Sequence, residues 1–145
     1  MSEIIISPAV PADRDAIQAL LVAADLPYQD FAHHLSHFRV ARDGDNIIGA
    51  VGLEVYIQAG LLRSLVVDPA YRGQNLGQRL TNGILDYARS LGLTDLYLLT
   101  TTAAKFFPKF GFAPCPRTDA PPEIQATVEF ASLCPSTAVC MVKTL

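Results

Sequence analysis

Leu61–Leu80 reads LLRSLVVDPAYRGQNLGQRL. An apolar, β-rich run, Leu61–Val67, stops at Asp68-Pro69 and is followed by Arg72-Gly73-Gln74-Asn75-Leu76-Gly77. That loop enters directly a helical repeat of Leu76, Leu80, Ile84, Tyr87, Ala88 and Leu91, with Gly92 where a C-terminal cap belongs. The first amides of such a helix have no intrahelical acceptor and face back into the loop, where the helix dipole adds partial positive charge. Small residues let a ligand approach the backbone, and Arg72 adds a full charge. The pattern predicts an anion cradle of the kind that holds a pyrophosphate. It lacks both the G-x-G-x-x-G spacing of dinucleotide folds and the Gly-Lys-Ser/Thr of a P-loop, which disfavours NAD and ATP.

Working outward, Glu3–Ser7 is a short strand ended by Pro8. Pro11 opens a helix reaching Ala24, with Ile17, Leu20, Leu21 and Ala24 on one stripe. Gln29–Leu35 reads as a second short helix. His37–Arg42 and Asn46–Tyr56 flank Asp43-Gly44-Asp45 as a hairpin. Beyond the long helix come a strand, Asp95–Thr101, and a two-turn helix, Ala103–Phe110, in which Pro108 removes a backbone donor before Gly111. Ile124–Ala131 fits both periods, and the Pro121-Pro122-Glu123 lead-in selects helix. Ala138–Leu145 closes the chain as a strand. The sum is a mixed α/β sheet in one domain, residues 1–145.

Composition agrees with that reading. Half of the 145 residues are hydrophobic and 17% are charged, which excludes a disordered chain. A net charge of −3 argues against nucleic acid as partner. No run approaches a membrane span, and the N-terminus, with Glu3 and no basic start, reads as neither signal nor anchor, so a cytoplasmic protein is expected. Three cysteines, Cys115, Cys134 and Cys140, are expected to be reduced apolar fillers, with no zinc spacing among them.

Arg72 to Gly77 resembles the cofactor loop of the GNAT superfamily of acyl-coenzyme A-dependent N-acetyltransferases. The lead-in V-x-P-x-x-R-G matches as Val67-Asp68-Pro69-Ala70-Tyr71-Arg72-Gly73, and a second family block is met by Thr100, Ala103, Phe106, Phe107, Gly111 and Phe112. The order of elements agrees along the whole chain. The resemblance implies the GNAT acyltransferase fold and acetyl-CoA as cosubstrate, with no metal. It implies that the backbone of Leu65, Val66 and Val67 pairs with the pantetheine arm as an added strand. It likewise implies that Arg72, Gly73, Gln74, Asn75, Leu76, Gly77 and Gln78 hold the pyrophosphate, that Thr100 stands where an Asn usually touches the cofactor, and that Phe107 lies near the thioester. Asn75 replaces a usual Gly, a mild change because Asn tolerates positive φ. Phe107 replaces a Tyr that often protonates the departing thiolate, and has no proton to give.

By strand alternation Arg63 shares a face with Leu65 and Val67. It is either salt-bridged within the protein or a clamp for an anionic substrate group. Arg117, in a Pro-rich loop, is a second substrate-binding candidate. An α-amine with a pKa of about 8 needs only a modest general base. Glu54 is the first candidate, with a solvent-facing position as its alternative, and Glu129 is the second. Tyr28 and His34 are assigned to a substrate lid, and Tyr28 is a candidate for the missing acid. His33 and His37 are four apart, but the strand expected at His37 spoils a metal pair.

The stretch Pro121–Lys143 resembles the short acetyltransferases of arsenic-resistance operons, and Leu133-Cys134-Pro135 resembles the acetyltransferase domain of N-acetylglutamate synthases. Both imply acetylation of an amino acid's α-amine, with arsinothricin- and phosphinothricin-like toxins as candidates. Relatives that pair through C-terminal strands imply a homodimer. Two alternatives stand beside the enzyme: a non-catalytic acyl-CoA-binding module, and an arsenite-binding protein whose three thiols converge.

Overall fold

The computed structural model describes residues 3–134 and 137–145. Seven strands form one sheet: β1 (Ile4–Pro8), β2 (Arg39–Asp43), β3 (Asn46–Val55), β4 (Ala59–Val67), β5 (Asp95–Thr100), β6 (Ala113–Pro114) and β7 (Val139–Thr144). Their order is β1-β2-β3-β4-β5-β7-β6. Every neighbouring pair is antiparallel except β4 and β5. A parallel pair needs a long crossover, and α2 (Leu76–Ser90) supplies it. Pro8 is tolerated because β1 lies at the sheet edge.

The two long helices cover opposite faces. Ile17 and Leu21 of α1 (Arg14–Ala23) pack with Phe31, Phe38, Val40, Ala50 and Val66. Leu76, Leu80, Ile84 and Ala88 of α2 pack on Val51, Leu53 and Leu62. Leu80 and Ile84 are fully buried, each contributing roughly 2 kcal/mol of apolar burial. Gly92 adopts φ +79° just past α2, as its position predicts. Among the described residues no helix is long and apolar enough to cross a membrane.

Several boundaries differ from expectation. The second helix is a 3₁₀ turn, Phe31–His37, so β2 begins at Arg39 rather than His37. At three residues per turn, positions four apart do not stack. His37 instead places Nδ1 2.6 Å from the Tyr87 hydroxyl, so it does not pair with His33. Residues 103–110 form a turn followed by a 3₁₀ segment, Phe107–Phe110, in which Pro108 occupies the first turn, where its missing donor is harmless. The helix expected over Ile124–Ala131 breaks into α3 (Pro122–Gln125) and a π-type turn, Glu129–Leu133. Thr127 sits at the break, its hydroxyl donating to the Ile124 carbonyl and accepting from Phe130 N–H. Strand β6 is two residues long, too short to leave a period in the sequence. Pro135 of the Leu133-Cys134-Pro135 step lies outside the described residues.

Gly52 is fixed by packing. A Cβ there would lie 2.2 Å from two carbons of the Phe38 ring, which is fully buried and braced by Phe31 at 5.7 Å. Gly52→Ala is expected to destabilise by about 3 kcal/mol, read as a lower urea midpoint. Adding Phe38→Leu should return part of the loss.

Candidate active site

Strands β4 and β5 pair only at Ala59–Asp95, Gly60–Leu96 and Leu61–Tyr97. Beyond Leu61 the two strands no longer pair, and a cleft of about 420 Å³ lies between Leu62–Leu65 of one and Leu98–Thr100 of the other. A second hollow of about 440 Å³ adjoins it, sharing Leu65, Thr102 and Ala103 and continuing along Val66 and Val67 to Gly77. The β4 edge toward β5 is thus free of a strand partner from Leu62 onward. Such an edge offers N–H and C=O groups to an extended ligand.

At the far end lies the loop read from the sequence. Arg72, Gly73, Gln74, Asn75 and Gln78 are exposed, Gly77 is half-buried, and Leu76 anchors the loop in the core. Gly73 has φ +87° and Asn75 φ +60°, so Asn75 takes the left-handed conformation that its amide side chain tolerates. α2 starts immediately after it, leaving the amides of Leu76, Gly77 and Gln78 without intrahelical acceptors. Lys105 and Lys109 line this second hollow and were not singled out from the sequence. Their only signal in the sequence is two lysines four apart that flank Phe106-Phe107-Pro108.

Arg63 carries the main correction. The register pairs Gly52 with Arg63 but Ala50 with Val66, so β4 has an extra residue opposite Val51. Ser64 marks the bulge with φ +62°. A bulge resets the alternation, placing Arg63 on the face of Leu61 and Val66 instead of Leu65 and Val67. Its side chain has no exposed surface. Nε donates to Ser64 Oγ at 3.0 Å, Nη1 to Asp30 and Glu54 at 2.8 Å, and Nη2 to Asp30 at 2.8 Å, with Glu129 Oε2 3.3 Å from Nη2. Every donor is answered by the protein, which favours the salt-bridged alternative over the substrate clamp.

The carboxylates divide by environment. Glu54 is buried, accepting also from the Tyr56 hydroxyl at 2.5 Å, with His34 Nε2 at 3.4 Å. It is therefore neither solvent-facing nor in the cleft lining. Burial would raise Asp30, but its hydrogen bonds to Arg63 and the guanidinium charge hold it below the ordinary carboxylate value. Glu129 is 3% exposed and does line the cleft. Burial pushes its carboxyl up to about 7, aided by the charges of Glu54 and Asp30 and opposed by Arg63. That is the range a general base at neutral pH requires. Burial also lowers His34, keeping the ring neutral.

The remaining candidates fall as follows. Tyr28 is more than one-third exposed and lines the cleft through the loop 25–29. His34 packs against Glu54 and is not part of that wall. Thr100 is buried in the cleft floor, where Oγ1 accepts from Ala103 N–H at 2.9 Å. Phe107 lines the cleft and stacks edge-on to Phe106 and Phe112. Arg117 donates to the Ala138 carbonyl at 3.3 Å and is outside the lining. Asp30, His34 and Glu54 bring ligand-type atoms within 4.8 Å of one another, with Arg63 already serving Asp30 and Glu54 as counter-ion. The Cys115 and Cys140 sulfurs approach to 3.3 Å. Among the described residues Cys134 does not complete a three-ligand cluster with them, so the convergence required of a three-thiol arsenite site does not form.

Asp30 was missed because nothing marks a single Asp in an irregular loop as an arginine's partner. The Ser64 bulge was missed because Arg63-Ser64-Leu65 reads as an ordinary strand.

Comparison with known proteins shows the family and the fold. The family described as acetyltransferase (GNAT) domain matches residues 34–114. An amino-acid acetyltransferase of Neisseria meningitidis is 30% identical over 82 residues, 55% of this chain and 19% of that protein. One of Pseudomonas putida is 44% identical over 57 residues, 39% and 13% of the two chains. The chain thus spans under a fifth of the length of these curated relatives. The N-acetylglutamate synthase of Neisseria gonorrhoeae, complexed with coenzyme A and N-acetyl-glutamate, superposes with a TM-score of 0.85 at 21% identity, covering 100% of this chain and 36% of that one. Rv2747 of Mycobacterium tuberculosis, in complex with CoA, gives 0.81 at 23% identity, covering 97% and 99%. At these identities the superpositions establish the fold.

Proposed function

Given that the chain belongs to the GNAT acetyltransferase family, we propose that it transfers acetyl from acetyl-CoA to the amine of an amino acid seated between β4 and β5. The observation that carries the reading is Glu129, a buried carboxylate in the wall of that cleft whose burial sets it near neutrality. In the proposed reaction the open β4 edge at Leu65–Val67 aligns the pantetheine arm, and the amides from Arg72 to Gln78 hold the pyrophosphate. Glu129 accepts the ammonium proton, directly or through one water, and the free amine attacks the thioester carbonyl. The Leu65 or Val67 amide donates to the developing oxyanion. The carbonyl re-forms as the carbon–sulfur bond breaks; the attacking nitrogen sheds its second proton to water, and the thiolate leaves unassisted by Phe107 and takes its proton back from water. Arg63 acts as a positioning residue, fixing Asp30 and Glu129 against β4.

The relatives named amino-acid acetyltransferase support the substrate class, and the arsenic-operon resemblance adds phosphinothricin- and arsinothricin-like molecules to the candidates. Those toxins carry a side-chain oxyanion, and with Arg63 saturated they would have to find another cation. The test incubates purified protein with acetyl-CoA and a panel of amino acids, both toxins, a polyamine and a peptide, following thiol release and product mass. Turnover of an amino acid is expected. Coenzyme A binding with no turnover of any amine would replace the enzyme with an acyl-CoA-binding module, the reading that Phe107 favours.

A further inference from the structure

Cys140 lies within β7, and Cys115 follows β6. The β6–β7 register, Ala113–Val142 then Pro114–Met141, continues to set Cys115 opposite Cys140. Cys115 N–H donates to the Cys140 carbonyl at 2.9 Å, and the sulfurs stand 3.3 Å apart. Directly opposed antiparallel residues hold their Cα atoms about 4.5–5.5 Å apart, within the ~4.4–6.8 Å that a disulfide spans. The sulfurs need close only to about 2.05 Å, a displacement that side-chain rotation supplies.

Their place along the chain gives the pair a consequence. Residues 116–139 run between them and carry Glu129, Cys134 and Ala138 of the cleft wall. Neither Cys115 nor Cys140 lines the cleft, and the transfer reaction uses neither. Cys140 is buried in the cluster that also holds Tyr97 and Leu61, while Cys115 is half-buried at its edge. Cys134 is in a different setting, with its N–H on the Glu129 carbonyl.

We propose that Cys115 and Cys140 form a thiol-oxidation site that closes into a disulfide with a two-electron oxidant, a peroxide or a low-molecular-weight disulfide, and so staples both ends of the segment that carries Glu129. With hydrogen peroxide, the Cys115 sulfur attacks one oxygen and breaks the O–O bond. It becomes a sulfenic acid, its proton leaving with the departing hydroxide as water. The Cys140 sulfur then attacks the sulfenic sulfur, forming the S–S bond as the S–O bond breaks. The hydroxide leaves with the Cys140 proton as a second water. Two thiols are oxidised and one peroxide is reduced to two waters. With a small disulfide, Cys115 forms the mixed disulfide and Cys140 displaces the second small thiol.

The test treats reduced, full-length protein with one equivalent of hydrogen peroxide, denatures it, alkylates free thiols and determines intact mass and a peptide map. The expected product is about 2 Da lighter before alkylation, takes up one alkyl group where the reduced protein takes three, and yields a Cys115–Cys140 linked peptide. Cys134→Ser should form the same link, taking up no alkyl group after oxidation where its reduced form takes two. Cys115→Ser, at the half-buried position, should abolish the link while its circular dichroism stays native, and Cys140→Ala should do the same. Three alkylatable thiols after oxidation, or a link that includes Cys134 or a second chain, overturns the proposal. None of these readouts depends on acetyl transfer.

Discussion

Arg63→Met is expected to lose about 3–5 kcal/mol of stability at pH 8, because removing one partner of a buried ion-pair network strands the others. Asp30, Glu54 and Glu129 all converge on that guanidinium and are buried themselves. In the wild type, Arg63 holds Asp30 below its ordinary value of 3.8. This lowered group contributes stability above its unfolded pKa and loses it only as pH falls through the folded value. In the variant the sign reverses. Without the guanidinium Asp30 loses what holds it down and Glu129 loses what opposes its rise, so stability is retained in acid and lost as pH rises. The gap from wild type should therefore be widest at pH 8 and narrow by pH 4.5. Urea midpoints at the two pH values measure it. A variant within about 1 kcal/mol of wild type at both would mean that the network contributes little.

Glu129→Gln is expected to lower kcat roughly 10²–10⁴-fold with KM changed far less. Unfolding would not account for such a loss. Glu129 is pushed from 4.5 to about 7, so its contribution is present below pH 4.5 and disappears as pH rises through 7. Over that window the wild type gives up on the order of 3 kcal/mol, which a neutral amide does not. The variant should therefore be at least as stable as wild type at pH 8, separating a lost base from a lost fold. An equal fall in rate and in stability at pH 8 would assign Glu129 to structure alone.

The parts of the fold legible in the sequence are those with a long period or a strong stop. The α2 repeat and Gly92, the hairpin at Asp43–Asp45 and the run Leu61–Val67 all appear near their read positions. Asn75 takes positive φ as its residue type allows. The candidate site was legible where backbone makes it, in the unpaired β4 edge and the loop to Gly77. It was obscure where side chains make it. Alternation assigns Arg63 to the wrong face because one added residue at Ser64 resets the period, and a bulge leaves no compositional trace. Glu54 and Glu129 both read as candidate bases. Only the fold separates them, seating Glu54 behind Arg63 and Glu129 in the cleft wall.

The central claim is that Glu129 serves as the base of an acetyl transfer in this cleft. It is tested most directly by the pH profile of kcat/KM in the wild type and Glu129→Gln, using the amino acid the panel identifies. The account predicts a wild-type rate that rises with an apparent pKa near 7, the value at which burial sets Glu129, and a variant from which that limb is gone. An unchanged limb in the variant, or a flat wild-type profile across pH 6–8, would contradict it.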